Sequence, residues 1–141
     1  MTEPSRPAWQ RVVVSVIGIL SGGWMLAVGL WALVLPESFA DFIDFPPYNE
    51  HLLHDVGAFQ IGIGVSVLVA LLWSDAIAVA LLGYVVAGAI HTVNHGVDLD
   101  LGGHNFDAWF IGLSTVLAAV AVLLRAHNAP TSAEVSKAAD R

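Results

Sequence analysis

Histidine and acidic side chains of this chain are concentrated in two short segments, residues 37–55 and 91–107. In the second segment, polar residues recur at i, i+3, i+4 and i+7, which a helix would place on one face. They are His91, Asn94, His95 and Asp98. A histidine pair at i and i+4 can ligate one metal ion when its face points into the protein. The first segment adds His51, His54 and Asp55 at i, i+3 and i+4.

These two groups predict a metal or haem site. The candidate ligands are His54, His91, His95, Asp55, His104 and His51. Neutral imidazole and carboxylate groups suit Zn²⁺, Fe²⁺, Mn²⁺ or Cu²⁺. Two histidines from facing helices could instead hold a b-type haem at its axial positions. The chain has no cysteine and only two methionines, which excludes thiolate-bound clusters and gives a Cu(I) site little support.

The same residues have an alternative interpretation that requires no ligand. Asp55 and Asp107 fall in the first turns of predicted helices, where the helix dipole favours a carboxylate. Gly96 is a suitable left-handed residue at a helix exit, and His104 with Asn105 is a suitable helix start. On this interpretation the polar residues only cap helices at a membrane surface.

The charge distribution indicates that a bilayer surrounds these residues. No Lys or Arg occurs between Val12 and Leu124, although nine acidic residues lie there. A soluble chain would scatter cations over its surface, whereas a membrane-spanning chain confines them to its ends. The five basic residues are Arg6, Arg11, Arg125, Lys137 and Arg141. No basic stripe is present for a nucleic-acid partner.

Four apolar stretches are long enough to cross a hydrocarbon core of about 30 Å. They span about 12–35, 52–73, 76–95 and 106–125. We therefore predict an all-α membrane protein, a four-transmembrane-helix bundle over residues 12–126. Its flanks, 1–11 and 127–141, are rich in polar and charged residues and are predicted to be disordered.

The short Ser74-Asp75 connection predicts that the second and third spans form an antiparallel hairpin. His54 and His95 are then equally far from the turn. We expect His54, His91 and His95 to face each other, with Asp55 and His104 within reach.

The cations also predict the orientation. By the positive-inside rule, both termini of this multi-pass membrane protein are expected to lie in the cytoplasm. The polar cluster then faces outward. A cleaved signal peptide is the alternative for the first span, but that apolar run is longer than a secretory core of about 7–15 residues.

Two further features concern contacts between helices. Gly18-x-x-x-Gly22 is a small-residue packing motif. Gln60 lies deep in the second span and is expected to hydrogen-bond another helix or a second copy of the chain. The segments 54–62 and 104–112 share residues at an offset of 50, which indicates either a duplicated hairpin or chance similarity between apolar segments.

The sequence resembles the small four-helix bacterial membrane proteins grouped as DoxX-like, which include uncharacterised relatives. The resemblance covers roughly residues 15–125 and rests on three features. These are Gly22-Gly23 with Gly29 ahead of Pro36, Asn49-Glu50, and the stretch from Gly57 to Gly62. It implies a four-helix inner-membrane bundle and no settled activity. The chain departs from the family by carrying His51, His54, His91 and His95.

The sequence supports two hypotheses about function. The first is an inner-membrane protein whose outward-facing His/Asp cluster binds a divalent metal or haem. The alternative is a non-catalytic accessory subunit or scaffold that binds a partner membrane protein or a second copy of the chain in the bilayer. A transporter is third, since no span is broken at mid-membrane. No hydrolase or kinase motif is present, which disfavours those two classes of enzyme.

Overall fold

The structure, a computed structural model, describes residues 7–73, 76–98 and 100–126. Its helices are α1 (Ala8–Val34), α2 (Pro36–Ile43), α3 (Glu50–Ala70), α4 (Ala76–Val97) and α5 (Asp107–Ala126). All but α2 are long and apolar enough to cross a membrane. The prediction of an all-α fold with four spans is confirmed, and the chain is a polytopic membrane protein. The orientation of its termini stays a prediction.

The observed spans differ from the predicted ones mainly at their ends. The first span begins at Ala8, earlier than predicted, and the third continues to Val97. The Ser74-Asp75 connection lies outside the described residues, as do 1–6 and 127–141 of the two flanks predicted to be disordered. Large apolar side chains on the outer surface, such as Phe59, Val79 and Trp109, suit contact with lipid.

The short helix α2 follows α1 directly and was not predicted from the sequence. Pro36 occupies its first turn, where the missing N–H of proline costs nothing and its fixed φ suits the helix. The helix ends at Asp44, which adopts a left-handed conformation with φ of 49°. Phe39 and Ala40 are buried and pack with Leu53 of α3. Thus α2 covers one end of the bundle.

Helices α1 and α3 pack antiparallel along a glycine seam, formed by the pairs Gly22–Gly64 and Gly29–Gly57. A Cβ atom built on Gly64 would lie 2.7 Å from the carbonyl oxygen of Gly22, and one built on Gly22 would lie 3.0 Å from that of Gly64. The two pairs are seven residues apart on each helix, so both fall on one face. Gly18, the other glycine of the predicted motif, lies against Leu71.

Helices α4 and α5 form the second closely packed pair, in which glycine faces threonine. Gly88 lies against the side chain of Thr115, and Gly112 lies against Thr92. Both threonine hydroxyls donate to carbonyl oxygens of their own helices, over 2.7 Å for Thr92 and 2.8 Å for Thr115. Tyr84 adds a hydrogen bond from α4 to α5 through Ser114, with 3.1 Å between their oxygens.

The two pairs meet around a shared apolar core. Val67 of α3 and Leu81 of α4 are fully buried there, with Ala118 and Ala121 of α5. The end of α1, the start of α3, the end of α4 and the start of α5 meet at one end of the bundle, which we term the histidine end. The opposite end carries Arg11 and Arg125 and is termed the arginine end.

Candidate functional site

A cavity of about 550 Å³ lies at the histidine end. Its wall is mostly apolar and draws on all five helices. The apolar residues include Trp24, Val28, Phe39, Phe42, Leu53, Val56, Phe110 and Ile111. The polar residues are Gln60, His91, Asn94, His95, Asp98, His104 and Asp107. This size, with an apolar wall and a few polar groups, is typical of a small-molecule site.

The polar face of α4 lines the cavity, since residues 91, 94, 95 and 98 all border it. His91 Nε2 and His95 Nε2 are 3.1 Å apart, and the ring centroids are separated by 4.8 Å. At this distance one neutral imidazole donates its N–H and the other accepts. The two rings are therefore close enough for a hydrogen bond, and both residues border the cavity.

Asp107, in the first turn of α5, forms the opposite side of the cavity mouth. Its Oδ2 accepts a hydrogen bond from the backbone N–H of His104 over 2.7 Å and lies 3.7 Å from His104 Nδ1. The side chain of Asp107 is 20% exposed, so its carboxylate is largely held within the site. Gly103 lies between this carboxylate and the ring of His95.

Two connections are tied together above the cavity. The backbone N–H of Gly103 donates to the carbonyl oxygen of Asp44 over 2.9 Å. This loop tie joins the end of α2 to the connection between α4 and α5. Gly102 and Gly103 have φ of 115° and 86°, a region that side chains with a Cβ rarely adopt. The glycines therefore permit the close approach between the two connections.

Gln60, on α3, is the polar residue of the cavity lining that lies farthest from the cavity mouth. It lies ten residues after Glu50, which is roughly 15 Å along the helix. Its Oε1 is buried and has no hydrogen-bond partner among the described residues. The expected hydrogen bond from another helix is therefore not made to this oxygen.

The histidines of α3 are arranged differently from those of α4. His54 Nε2 lies 3.9 Å from Glu50 Oε1, and His51 Nε2 lies 3.6 Å from Asp55 Oδ2. The His51 side chain is 89% exposed. His51, His54 and Asp55 are not among the residues that line the cavity. Of the six candidate ligands, the structure thus brings His91, His95 and His104 to the cavity, and Asp107 joins them.

Metal binding through these residues has limited geometric support. Within residues 7–73, 76–98 and 100–126, no group of three or more histidine, cysteine or acidic side chains is arranged to hold a metal ion. His91 and His95 lie on one side of a single helix, so they do not offer the two opposite axial ligands that a b-type haem needs.

Several cavity residues were missed from the sequence. Phe39, Phe42 and Phe45 lay in a segment interpreted as a loop, although Pro36 followed by Glu37 is a helix-start signal. Gln60 was noticed as polar within an apolar span but was assigned to helix packing. Trp24 stands within the first apolar span, where its spacing gives no signal of a site, yet it borders the cavity and contacts Phe110 edge to face at 5.3 Å.

Comparison with known proteins does not assign the chain to a family. No protein-family model, curated protein or solved structure matches the chain. The DoxX-like resemblance is accordingly supported only at the level of a small polytopic membrane protein with four apolar helices.

Proposed function

We propose that this protein is a membrane-embedded binding protein whose cavity takes a small amphipathic organic molecule. The apolar part of the ligand lies among Trp24, Val28 and Phe110, and a polar part lies at the mouth between the α4 histidines and Asp107. The ligand carries a hydroxyl or N–H donor within its buried part. A non-enzymatic role in binding agrees with the absence of a hydrolase or kinase motif from the sequence.

The single observation that carries this proposal is the buried Oε1 of Gln60. A buried acceptor without a partner costs about 1–3 kcal/mol. Gln60 lines a cavity large enough for a ligand, and a ligand donor that reaches the Oε1 atom removes this cost. An apolar side chain would serve packing alone better at this position.

The proposal is tested with two probes that differ in one hydrogen-bond donor. 4-Nonylphenol offers a hydroxyl on an apolar body, and 4-nonylanisole replaces the hydroxyl hydrogen with a methyl group. Thermal unfolding of the detergent-purified full chain is followed while either probe is titrated. We expect the phenol to raise the melting temperature more than the ether.

The matched variant is Gln60→Leu, which removes the acceptor and keeps an apolar cavity. This variant should bind the two probes equally, while a Ser66→Ala variant, whose hydroxyl bonds to Gly62 within the same helix, should retain the preference. Equal stabilisation of the unsubstituted protein by both probes, or a preference that survives in Gln60→Leu, would contradict the proposal.

A second candidate function is binding of a divalent cation, favoured by the His91–His95 pair. Two nitrogen ligands at about 2.0–2.1 Å from a tetrahedral Zn²⁺ are roughly 3.3 Å apart, close to the 3.1 Å between the two Nε2 atoms. Asp107 is the nearest carboxylate candidate on α5. Equilibrium dialysis against Zn²⁺ tests this function, with His91→Ala expected to weaken binding.

The remaining hypotheses concern placement and partners. We infer that the histidine end faces away from the cytoplasm, on the basis of the terminal cations. The DoxX-like resemblance implies that the membrane is a bacterial inner membrane. A DoxX-like relationship agrees with four apolar helices. The accessory-subunit alternative has no described contact that favours it over ligand binding.

A further inference from the structure

A second cavity, of about 200 Å³, lies at the arginine end of the bundle. Arg11 of α1 and Arg125 of α5 both line it, and they are the only two Lys or Arg residues within the described part of the chain. Gln10 and Ser15 add polar groups to the same cavity. Residues from both ends of the sequence therefore converge on one basic site.

The charge of this site is opposite to that of the chain. The protein has a formal net charge of −7 at pH 7 with neutral histidines. Both arginines line one small cavity, where a bound anion would interact with two positive charges. Guanidinium groups present a planar fork of N–H donors that matches phosphate oxygens. The ligand chemistry that fits is a phosphate group.

The apolar part of the wall indicates what else the ligand carries. Val14, Leu71, Ile77 and Leu124 complete the lining, drawn from α1, α4, α5 and the end of α3. Arg125 is in the last turn of α5, and Arg11 is in the first turns of α1. Terminal turns of membrane-spanning helices are expected to lie at the level of the headgroups. Basic pockets between helices at this level bind anionic lipid headgroups.

The volume limits how much of a lipid enters. At about 200 Å³ the cavity is smaller than the roughly 300–1,000 Å³ of whole small-molecule sites. It has room for a headgroup and not for acyl chains, which would follow the exposed apolar surface of the helices. We propose that this cavity binds the phosphate of an anionic membrane phospholipid through Arg11 and Arg125, with Ser15 at its edge. The site is separate from the cavity at the histidine end.

Native mass spectrometry of the detergent-purified full chain tests the proposal. Binding of phosphatidylglycerol is compared with binding of phosphatidylcholine, which has a phosphate but no net charge. Inorganic phosphate is added in a separate experiment, and its effect on the melting temperature is measured. We expect phosphatidylglycerol to bind at one site and to raise the melting temperature. Arg11→Gln with Arg125→Gln should lower its apparent affinity by about tenfold or more, since each arginine gives charge-assisted hydrogen bonds.

Two further variants keep the test decisive if the double variant does not fold. Ser15→Phe fills the cavity without changing charge and should also weaken binding. Ser66→Phe adds the same aromatic ring at an exposed residue of α3 that does not line this cavity, and should leave binding unchanged. Equal binding of phosphatidylcholine, or binding that survives both cavity variants, would overturn the proposal. Inorganic phosphate that binds as tightly as phosphatidylglycerol would show a free-anion site and would overturn the assignment to lipid.

Discussion

Gly29 of α1 and Gly57 of α3 are so close that a Cβ atom on either one would lie 2.8 Å from the carbonyl oxygen of the other. Real Cβ atoms essentially never approach another heavy atom this closely, so each helix requires glycine at the crossing. The relationship is reciprocal, and Gly22 with Gly64 repeats it two turns away. Close contact between backbones is how membrane helices gain packing energy where lipid removes the hydrophobic driving force.

Gly29→Ala is therefore expected to destabilise the protein by about 1–3 kcal/mol, because the added methyl group pushes the helices apart. The matched control is Gly23→Ala on the same helix, where a Cβ meets nothing within 4 Å. Thermal unfolding in detergent measures both. A melting temperature lowered equally by the two substitutions would show that the seam contributes no specific packing.

The charge asymmetry predicts that the histidine end lies outside the cytoplasm. The chain has no cysteine, so single cysteines placed at Ser38 and Thr131 report on opposite sides. In intact cells an impermeant thiol reagent should label Ser38→Cys and leave Thr131→Cys unlabelled until the membrane is permeabilised. The reverse labelling would invert the proposed topology.

Zinc binding, if the second candidate function holds, should depend on α4 and not on α3. We expect His95→Ala to weaken binding of Zn²⁺ by about tenfold or more, because it removes one of two ligands. His54→Ala should have little effect, since His54 lies beside Glu50 and outside the cavity lining. Equilibrium dialysis measures both variants, and equal losses would restore the facing arrangement expected from the sequence.

The same binding should weaken as the pH falls. Only the neutral imidazole has a lone pair for the metal, so protonation of His91 or His95 competes with Zn²⁺. Repeating the dialysis of the unsubstituted protein at several values below pH 7 tests this direction. Binding that strengthens at lower pH would exclude imidazole ligation.

Gln60→Leu should stabilise the ligand-free protein, by about 1 kcal/mol, because it removes a buried acceptor that has no partner among the described residues. Ser66→Ala on the same helix is the control, since its hydroxyl is satisfied and exposed. Chemical unfolding of protein stripped of small molecules measures the difference. A Gln60→Leu variant that is less stable than Ser66→Ala would indicate that the amide already has a structural partner.

The sequence predicted the spans because hydropathy and charge act over whole helices. The polar face of α4 was also predictable, since residues 91 to 98 repeat at helical spacing. The placement of His54 relative to His91 was not predictable in the same way, because equal distance from a turn sets depth and not the direction in which a side chain points. The register between Gly29 and Gly57 depends on tertiary packing, and spacing within one helix does not reveal it.

The glycine seam also has a mechanical consequence for the cavity at the histidine end. It packs α1 and α3 closely into one unit, while α4 and α5 form a second unit that carries the histidine pair. The cavity opens between the two units, and the loop tie from Gly103 to Asp44 bridges them. We expect a ligand to enter when one unit moves relative to the other. The hydrogen bond between Gly103 and Asp44 would then have to break before the ligand leaves, so it should slow ligand dissociation.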